Sequence, residues 1–371
     1  MHIVLDLLIL VSLFLQSIPV IILPKLTDVM KAAFVTRYGG PDVFKIQDTD
    51  TPKPGPDQIQ IQVRAIGLNF ADVLMRTGIY PNTPKPPFIP GMEFSGIVSE
   101  CGSNVTSLKP GDRVMGYSRT GSHAEYVVVN QKMAGQIPES MSFEEAASFL
   151  IIYLTAYHGL FTLGKLQPNE KVLVHAAAGG VGLAVIQLAK HYNAEVFGTV
   201  GSEFKRSIVK EQGLDHCINY STENFAAAIK QITNDYGVDV IMDAVGGRVF
   251  RPGWKLLAPM GRYIIYGVAD AMTKNSFSYL RASKSLLTMP PILLTSLISS
   301  NKTIAGFNLS TLTGKADYLR RVTSELLDLY SNGVVKPVIG KVFPFEKIID
   351  AHAHLQKRES VGKVVVTIDH A

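Results

Sequence analysis

The chain has little cysteine and little excess of one charge. Its 371 residues hold two cysteines, Cys101 and Cys217. Two thiols exclude a disulfide scaffold and any site that needs three or four thiolates. They read as two small apolar residues of a reducing compartment. Lys and Arg number 36 against 31 Asp and Glu, a net charge of +5. No block of five or more like charges occurs, so no nucleic-acid surface is indicated. Charged residues make up 18% and hydrophobic residues 47%. That composition is globular, neither disordered nor fibrous. At roughly 150 residues per domain, the length fits about two domains.

One long apolar run is present at the N-terminus. Residues 3–23 are long enough to cross a bilayer, which takes roughly 20 apolar residues. Asp6, Gln16 and Pro19 interrupt the run, and only His2 precedes it where a signal peptide carries Lys or Arg. Residues 1–29 therefore read as an anchor, a signal, or an extension outside the working protein. A new pattern opens at Met30, and the folded part is expected to begin there. Ser285 to Ser299 is a second apolar run, split by Pro290 and Pro291. Its breakers and short length favour a buried or interface segment over a span.

From Met30 to about Tyr153 the pattern is short strands between turns. Ala32 to Val35, Ile59 to Ala65, Gly96 to Glu100 and Ala124 to Val129 are the apolar or alternating runs, with Pro and Gly clusters between them. Such spacing predicts a barrel-like β domain. After Ser142 the texture changes. Ser142 and Glu145 form a capping-box pattern before Phe143–Ala147. Strand candidates (171–175, 195–198, 216–219, 238–243, 262–266) then alternate with helix candidates (181–190, 203–212, 222–235, 247–257). This alternation predicts a doubly wound parallel sheet of α/β class.

The strongest local signal is Val172 to Gly182, a buried strand running into Ala-Ala-Ala-Gly-Gly-Val-Gly and then a helix. Val181, Val185 and Leu188 share one apolar face. Gly179 lets the backbone approach a pyrophosphate, and Gly182 lets the helix sit close to the strand. The amides of Ala178, Gly179, Gly180, Val181 and Gly182 stand where a helix N-terminus holds phosphate. Ala177 occupies the place of the usual first glycine. An NAD site wants an acid at the end of the second strand to bond the ribose hydroxyl. Here Thr199 and Gly201 stand there, with Lys205 and Arg206 close behind. Small residues and a cation suit a 2′-phosphate, so NADPH is the expected cofactor.

The Ala176–Gly182 turn, Leu68 to Pro81, Pro90 to Val98 and Gly111 to Gly116 together resemble the medium-chain dehydrogenase/reductase superfamily, in its zinc-free quinone oxidoreductase branch. Gly67 to Asp72, Phe143 to Ala147, Leu173 to Gly182, Gly306 to Leu309 and Phe343 to Ala351 resemble the synaptic vesicle membrane protein group, also called vesicle amine transport proteins. The resemblance runs from Met30 to about Ile368. It implies a GroES-like β domain (30–153 and 313–371), rejoined by a strand at 362–368, with a Rossmann domain (154–312) inserted and the active cleft at their junction.

Further residues follow from the resemblance. A Lys and a Tyr fifteen apart, Lys205 and Tyr220, bind the 2′-phosphate, joined by Arg358 four residues before Gly362. Asn69 faces nicotinamide and substrate, and Tyr80 lines the cleft. Gly267-Val268 and Phe307-Asn308 run beside the nicotinamide. Zinc relatives carry a Cys where Asn69 stands and a His where Met92 stands, so no metal is expected. His352 and His354 read as a solvated helix pair. Without a Lewis acid, the acceptor should be one that takes hydride readily, a quinone or an α,β-unsaturated carbonyl. Asn69 is expected to bond the acceptor oxygen, and Tyr80 to shelter or protonate it. The alternative is a nucleotide-binding membrane or vesicle adaptor with little turnover. A cytoplasmic homodimer is expected, with membrane contact through residues 3–23 as a variant.

Overall fold

The structure is a computed structural model and describes residues 28–271 and 294–370. Residues 1–27 of the tail and most of the 285–299 run lie outside the described residues; the first strand begins at Val29, one residue ahead of the expected start at Met30.

Two sheets carry the architecture. The strands are β1 (Val29–Val35), β2 (Phe44–Asp50), β3 (Gln58–Leu68), β4 (Glu93–Cys101), β5 (Arg113–Tyr117), β6 (Tyr126–Asn130), β7 (Ala134–Gln136), β8 (Lys171–Val174), β9 (Glu195–Val200), β10 (His216–Asn219), β11 (Val238–Asp243), β12 (Leu257–Ile265), β13 (Thr303–Gly306), β14 (Ile339–Pro344) and β15 (Lys363–Thr367). The helices are α1 (Phe70–Arg76), α2 (Phe143–Ala146), α3 (Leu150–Tyr157), α4 (Gly180–His191), α5 (Glu203–Glu211), α6 (Phe225–Ile232), α7 (Phe250–Leu256), α8 (Leu294–Ser300), α9 (Ala316–Ser331) and α10 (Ile348–Gln356).

The first sheet runs β14-β15-β3-β4-β5-β7, with β6 also on β3 and a separate β1-β2 ribbon. The second runs β10-β9-β8-β11-β12-β13 and is parallel throughout. Its strand order reverses between β8 and β11. In open α/β sheets the crevice at that switch point, outside the strand C-termini, is where ligands bind. β8 and β11 are buried almost throughout, as strands covered by helices on both faces must be.

The expected Ser142 capping box forms. Ser142 Oγ accepts from Glu145 N, and Glu145 Oε2 accepts from Ser142 N, both at 3.1 Å. The C-terminal return also forms, since β15 pairs antiparallel with β3. The expected return at residue 313 comes ahead of α9. That helix places Leu319, Val322 and Leu326 in the core shared by α3 and α4, and the strands that rejoin the first sheet begin at Ile339.

Candidate active site

β8 leads into the glycine turn at the switch point. The left-handed conformation falls on Ala176 (φ 56°), one residue before the position read as the first glycine. Ala177 N donates to Thr199 O at 3.0 Å and Gly179 N to Ala176 O at 2.9 Å, which closes the turn against β9. A Cβ at Gly182 would lie 2.5 Å from the carbonyl oxygens of Ala176 and Ala177, so only glycine lets α4 approach this closely. The first bond of the α4 ladder runs from Leu183 N to Gly179 O. The amides of Gly180, Val181 and Gly182 lie ahead of it, at the positive end of a twelve-residue helix.

The approach to the last strand, β15, meets this turn directly. Gly362 N donates to Ala178 O at 2.8 Å, and Gly362 bridges to Gly179. Gly362 has φ +58°, and a Cβ there would stand 2.0 Å from Val338 O. The two sheets are thus joined at the backbone that ends the phosphate-type turn.

Lys205 and Arg358 meet, and Tyr220 stands against Gly201 at the end of β9. Lys205 Nζ donates to Arg358 O at 2.8 Å. Arg358 donates through its guanidinium to Ala269 O. The Tyr220 hydroxyl would be 2.5 Å from a Cβ at Gly201, so the glycine is what admits that ring. Burial and the neighbouring Arg358 charge lower the proton affinity of Lys205, as expected of a cation in a pocket of positive potential. Glu203, two residues before Lys205, is turned away: it accepts from Asn219 Nδ2 at 2.8 Å and pairs with Arg206 at 3.2 Å, and Glu359 is the acid whose charge acts on Lys205. Thr199 is buried, and its hydroxyl lies 3.0 Å from His175 Nδ1, so its side chain points into the protein.

On the other side of the switch point, Gly267 packs on β11's end, where a Cβ would stand 2.4 Å from Ala244 O. Val268 beside it is exposed. Phe307 lies edge-on to His158, ring centroids 4.8 Å apart. Tyr80 Oη donates to Asn308 Oδ1 at 3.0 Å. That bond crosses from the antiparallel to the parallel half and sets Tyr80 at the cleft.

Asn69 is the N-cap of α1 and is buried. Its Nδ2 donates to Gly67 O (3.1 Å) and Glu93 Oε2 (3.0 Å), and its Oδ1 accepts from Lys363 Nζ (2.9 Å). An ammonium only donates, so the amide orientation follows from Lys363. Both amide hydrogens are committed. The expected donation from Asn69 to an acceptor oxygen would break one of those bonds. Lys363 Nζ also meets Glu93 Oε2 at 2.8 Å, with both side chains buried. Glu93 Oε1 accepts from Ile151 N at the start of α3 (2.9 Å). Asp72 accepts from Asn69 N (2.8 Å), and burial pushes its carboxyl up to about 7.

Lys363 and Glu93 did not emerge as site residues from the sequence. Their link rests on register: Val364 lies opposite Leu68, which sets Lys363 against Asn69. The only hint was Glu93 following Met92, next to a position already singled out. His352 is a correction. It is fully buried, 4.6 Å from Phe44 and 5.2 Å from His123 by ring centroids, because the inner face of α10 packs on the β1–β2 side. Cys101 and Cys217 are free and partly buried.

Two family profiles match the chain. "Alcohol dehydrogenase GroES-like domain" covers residues 55–139, and "Zinc-binding dehydrogenase" covers residues 180–328. The chain is 40% identical to the synaptic vesicle membrane protein VAT-1 homolog of Homo sapiens over 340 residues, 91% of this chain and 86% of that protein. It is 36% identical to quinone oxidoreductase-like protein 2 of Rattus norvegicus over 307 residues, 82% and 83% of the two chains. The crystal structure of Escherichia coli quinone oxidoreductase complexed with NADPH superposes with a TM-score of 0.81 at 29% identity, covering 91% of this chain and 99% of that one. This chain belongs to the medium-chain dehydrogenase/reductase superfamily. Within it, the chain falls with the VAT-1 homologs and the quinone oxidoreductase-like proteins. Membership makes it an oxidoreductase with a GroES-like half and a Rossmann half. The GroES-like match holds β3, α1 and β4, hence Asn69 and Glu93. The second match starts at Gly180, inside the glycine turn. Among the described residues, one helical run, Phe143–Leu163, is long and apolar enough to cross a membrane, and it is mostly buried inside the protein.

Proposed function

We propose that the chain is a zinc-independent reductase that binds NADPH and reduces a quinone or an α,β-unsaturated carbonyl. The observation that carries this reading is the Lys205–Arg358 contact, with Tyr220 against Gly201 at the end of β9 and Glu203 engaged by Asn219. The residues fit the cofactor. Gly180, Val181 and Gly182 would hold the pyrophosphate with Ala178 and Gly179 shaping the turn. Lys205, Tyr220 and Arg358 would hold the 2′-phosphate, which an acid would repel. Thr199 and Gly201 shape the floor, through a buried hydroxyl and a missing side chain. Gly267, Val268, Phe307 and Asn308 would flank the nicotinamide end. The VAT-1 homolog and quinone oxidoreductase likenesses support the same reading.

The residues do not fit zinc. The matched description names zinc, yet Lys363 places a buried ammonium 2.9 Å from Asn69 Oδ1, where zinc relatives carry a ligand. A divalent cation there would meet that charge at close range in a poorly screened interior. Among the described residues no three His, Cys, Asp or Glu side chains gather as a metal site.

Bound NADPH supplies a hydride. The protein orients and shields. The Gly362–Ala178 bond and the Tyr80–Asn308 bond hold the two halves together around the cleft, which fixes donor and acceptor relative to each other and excludes water. Tyr80 Oη, by exchanging Asn308 for the acceptor oxygen, would hydrogen-bond the charge that develops there. Asn69, fixed by Lys363 and Glu93, sets the wall behind it. NADPH consumption across a panel of quinones and enones tests the reading.

A second reading keeps cofactor binding without turnover, in a membrane or vesicle adaptor. The vesicle-membrane name of the VAT-1 homologs favours it. Sedimentation with vesicles, with and without residues 3–23, tests membrane contact, and a solution mass tests the homodimer that the first reading includes.

A further inference from the structure

One basic residue near the Lys205–Tyr220–Arg358 cluster belongs to none of the motifs above. Arg248 sits in the tight turn that follows β11. That turn is pinned: Asp243 Oδ1 accepts from Val245 N (2.7 Å) and Gly246 N (2.9 Å), and Tyr263 Oη donates to Asp243 Oδ2 at 2.8 Å. From there the Arg248 guanidinium reaches the Tyr220 ring, its carbon 5.9 Å from the ring centroid.

Topology makes this reach informative. Tyr220 follows β10, and β10 is separated from β11 by β9 and β8. Three strand spacings amount to roughly 14 Å at about 4.8 Å each. Tyr220 reaches back over the end of β9 to Gly201, and Arg248 reaches toward it from β11, so the two side chains together span the crevice where a dinucleotide is laid. Asp270 steers it, meeting Arg248 Nε at 3.3 Å and accepting from Arg248 N at 3.3 Å. Ala269, the residue before Asp270, accepts from the Arg358 guanidinium. Arg248 and Arg358 are thus tied to adjacent residues of one segment, and Arg358 is tied to Lys205. A chain of contacts runs from Tyr220 through Arg248, the Ala269–Asp270 segment and Arg358 to Lys205, and it links three cations and a phenol.

We propose that Arg248 is a specificity-determining residue of the 2′-phosphate site, a fourth member that closes over the adenosine end from the opposite wall. This rests on the NADPH reading above. It assigns to Arg248 the charge-assisted contact that favours a phosphorylated ribose, with Tyr220 as the surface on which the guanidinium lies.

The test titrates the full-length protein with two fragments, 2′,5′-ADP and 5′-AMP, by calorimetry, which needs no turnover. The proteins are wild type, Arg248→Gln, Arg248→Lys and Lys205→Ala. Arg248→Gln should weaken 2′,5′-ADP roughly ten- to a hundredfold and leave 5′-AMP within about twofold, the size of one charge-assisted contact. Arg248→Lys should recover part of the loss. If Lys205→Ala weakens 2′,5′-ADP selectively while Arg248→Gln changes nothing, the role of Arg248 is overturned and the cofactor reading stands. Equal weakening of both fragments by Arg248→Gln also overturns it, since Arg248 would then serve adenosine and not the phosphate. If neither Lys205 nor Arg248 variants discriminate between the fragments, the NADPH reading itself fails.

Discussion

The ammonium of Lys363 lies 2.9 Å from Asn69 Oδ1 and 2.8 Å from Glu93 Oε2 in a fully buried pocket. Its stem passes under the glycine turn, where a Cβ on Gly180 would come 3.2 Å from Lys363 Cδ. One side chain from the last strand therefore lies against both the glycine turn and Asn69.

Removing that side chain leaves Glu93 charged and buried. Lys363→Met should cost about 3–5 kcal/mol, the range for breaking a buried ion pair. Lys363→Met with Glu93→Gln should recover most of the loss, because no uncompensated charge remains. Denaturant midpoints of the three proteins check this, and an equally unstable double variant would count against the pair as the cause.

Acid should loosen the α10 face. Burial holds His123 down at about 3, and burial with the neighbouring Arg76 charge holds His352 well below its usual range. Both rings are neutral in the fold and gain protons on unfolding. Their contribution is present above the unfolded value of roughly 6.5 and is lost as pH falls toward their folded values, by about 1.4 kcal/mol per pH unit for each. Asp72, raised to about 7, acts in the opposite sense: its contribution is full at low pH and is lost as pH rises through 7. Urea midpoints between pH 7 and 4 should therefore fall less steeply for His352→Leu than for wild type. Parallel slopes would contradict the assignment.

Lys205→Ala should weaken NADPH by about 1.5–3 kcal/mol, the worth of a charge-assisted hydrogen bond. NADH should be nearly unaffected, since it lacks the phosphate that Lys205 would meet. Fluorescence titration with both cofactors decides it, and equal weakening of both would remove Lys205 from the phosphate site.

Purified protein should carry no stoichiometric zinc, and chelators should leave its activity intact. Elemental analysis showing one zinc per chain, with activity lost on chelation, would overturn the reading of Lys363 as the internal cation.

The parallel half is legible in the sequence because its signals are local. Val238–Asp243 is a run of strand residues between turns, and the glycine turn joins a buried strand to a one-faced helix. β2 escapes a sequence reading because it is mostly exposed and its apolar alternation ends after Ile46, giving way to polar residues. β13 is four residues at a sheet edge, too short to carry a pattern. Lys205, Tyr220 and Arg358 can be set together only through a family pattern of spacings. Lys363 cannot be paired with Asn69 from sequence at all, since 294 residues separate them and only strand register joins them. His352 looks solvated because a histidine between Asp350 and His354 carries no local sign of burial; the Phe44 and His123 rings that enclose it come from distant strands and turns.

The most direct measurement mixes full-length protein with NADPH and a simple quinone and follows nicotinamide absorbance against quinol formed. The account predicts one NADPH consumed per quinone reduced, with NADH a poorer donor and chelator without effect. Tight NADPH binding with no consumption across quinones and enones would contradict it and leave a nucleotide-binding adaptor in its place.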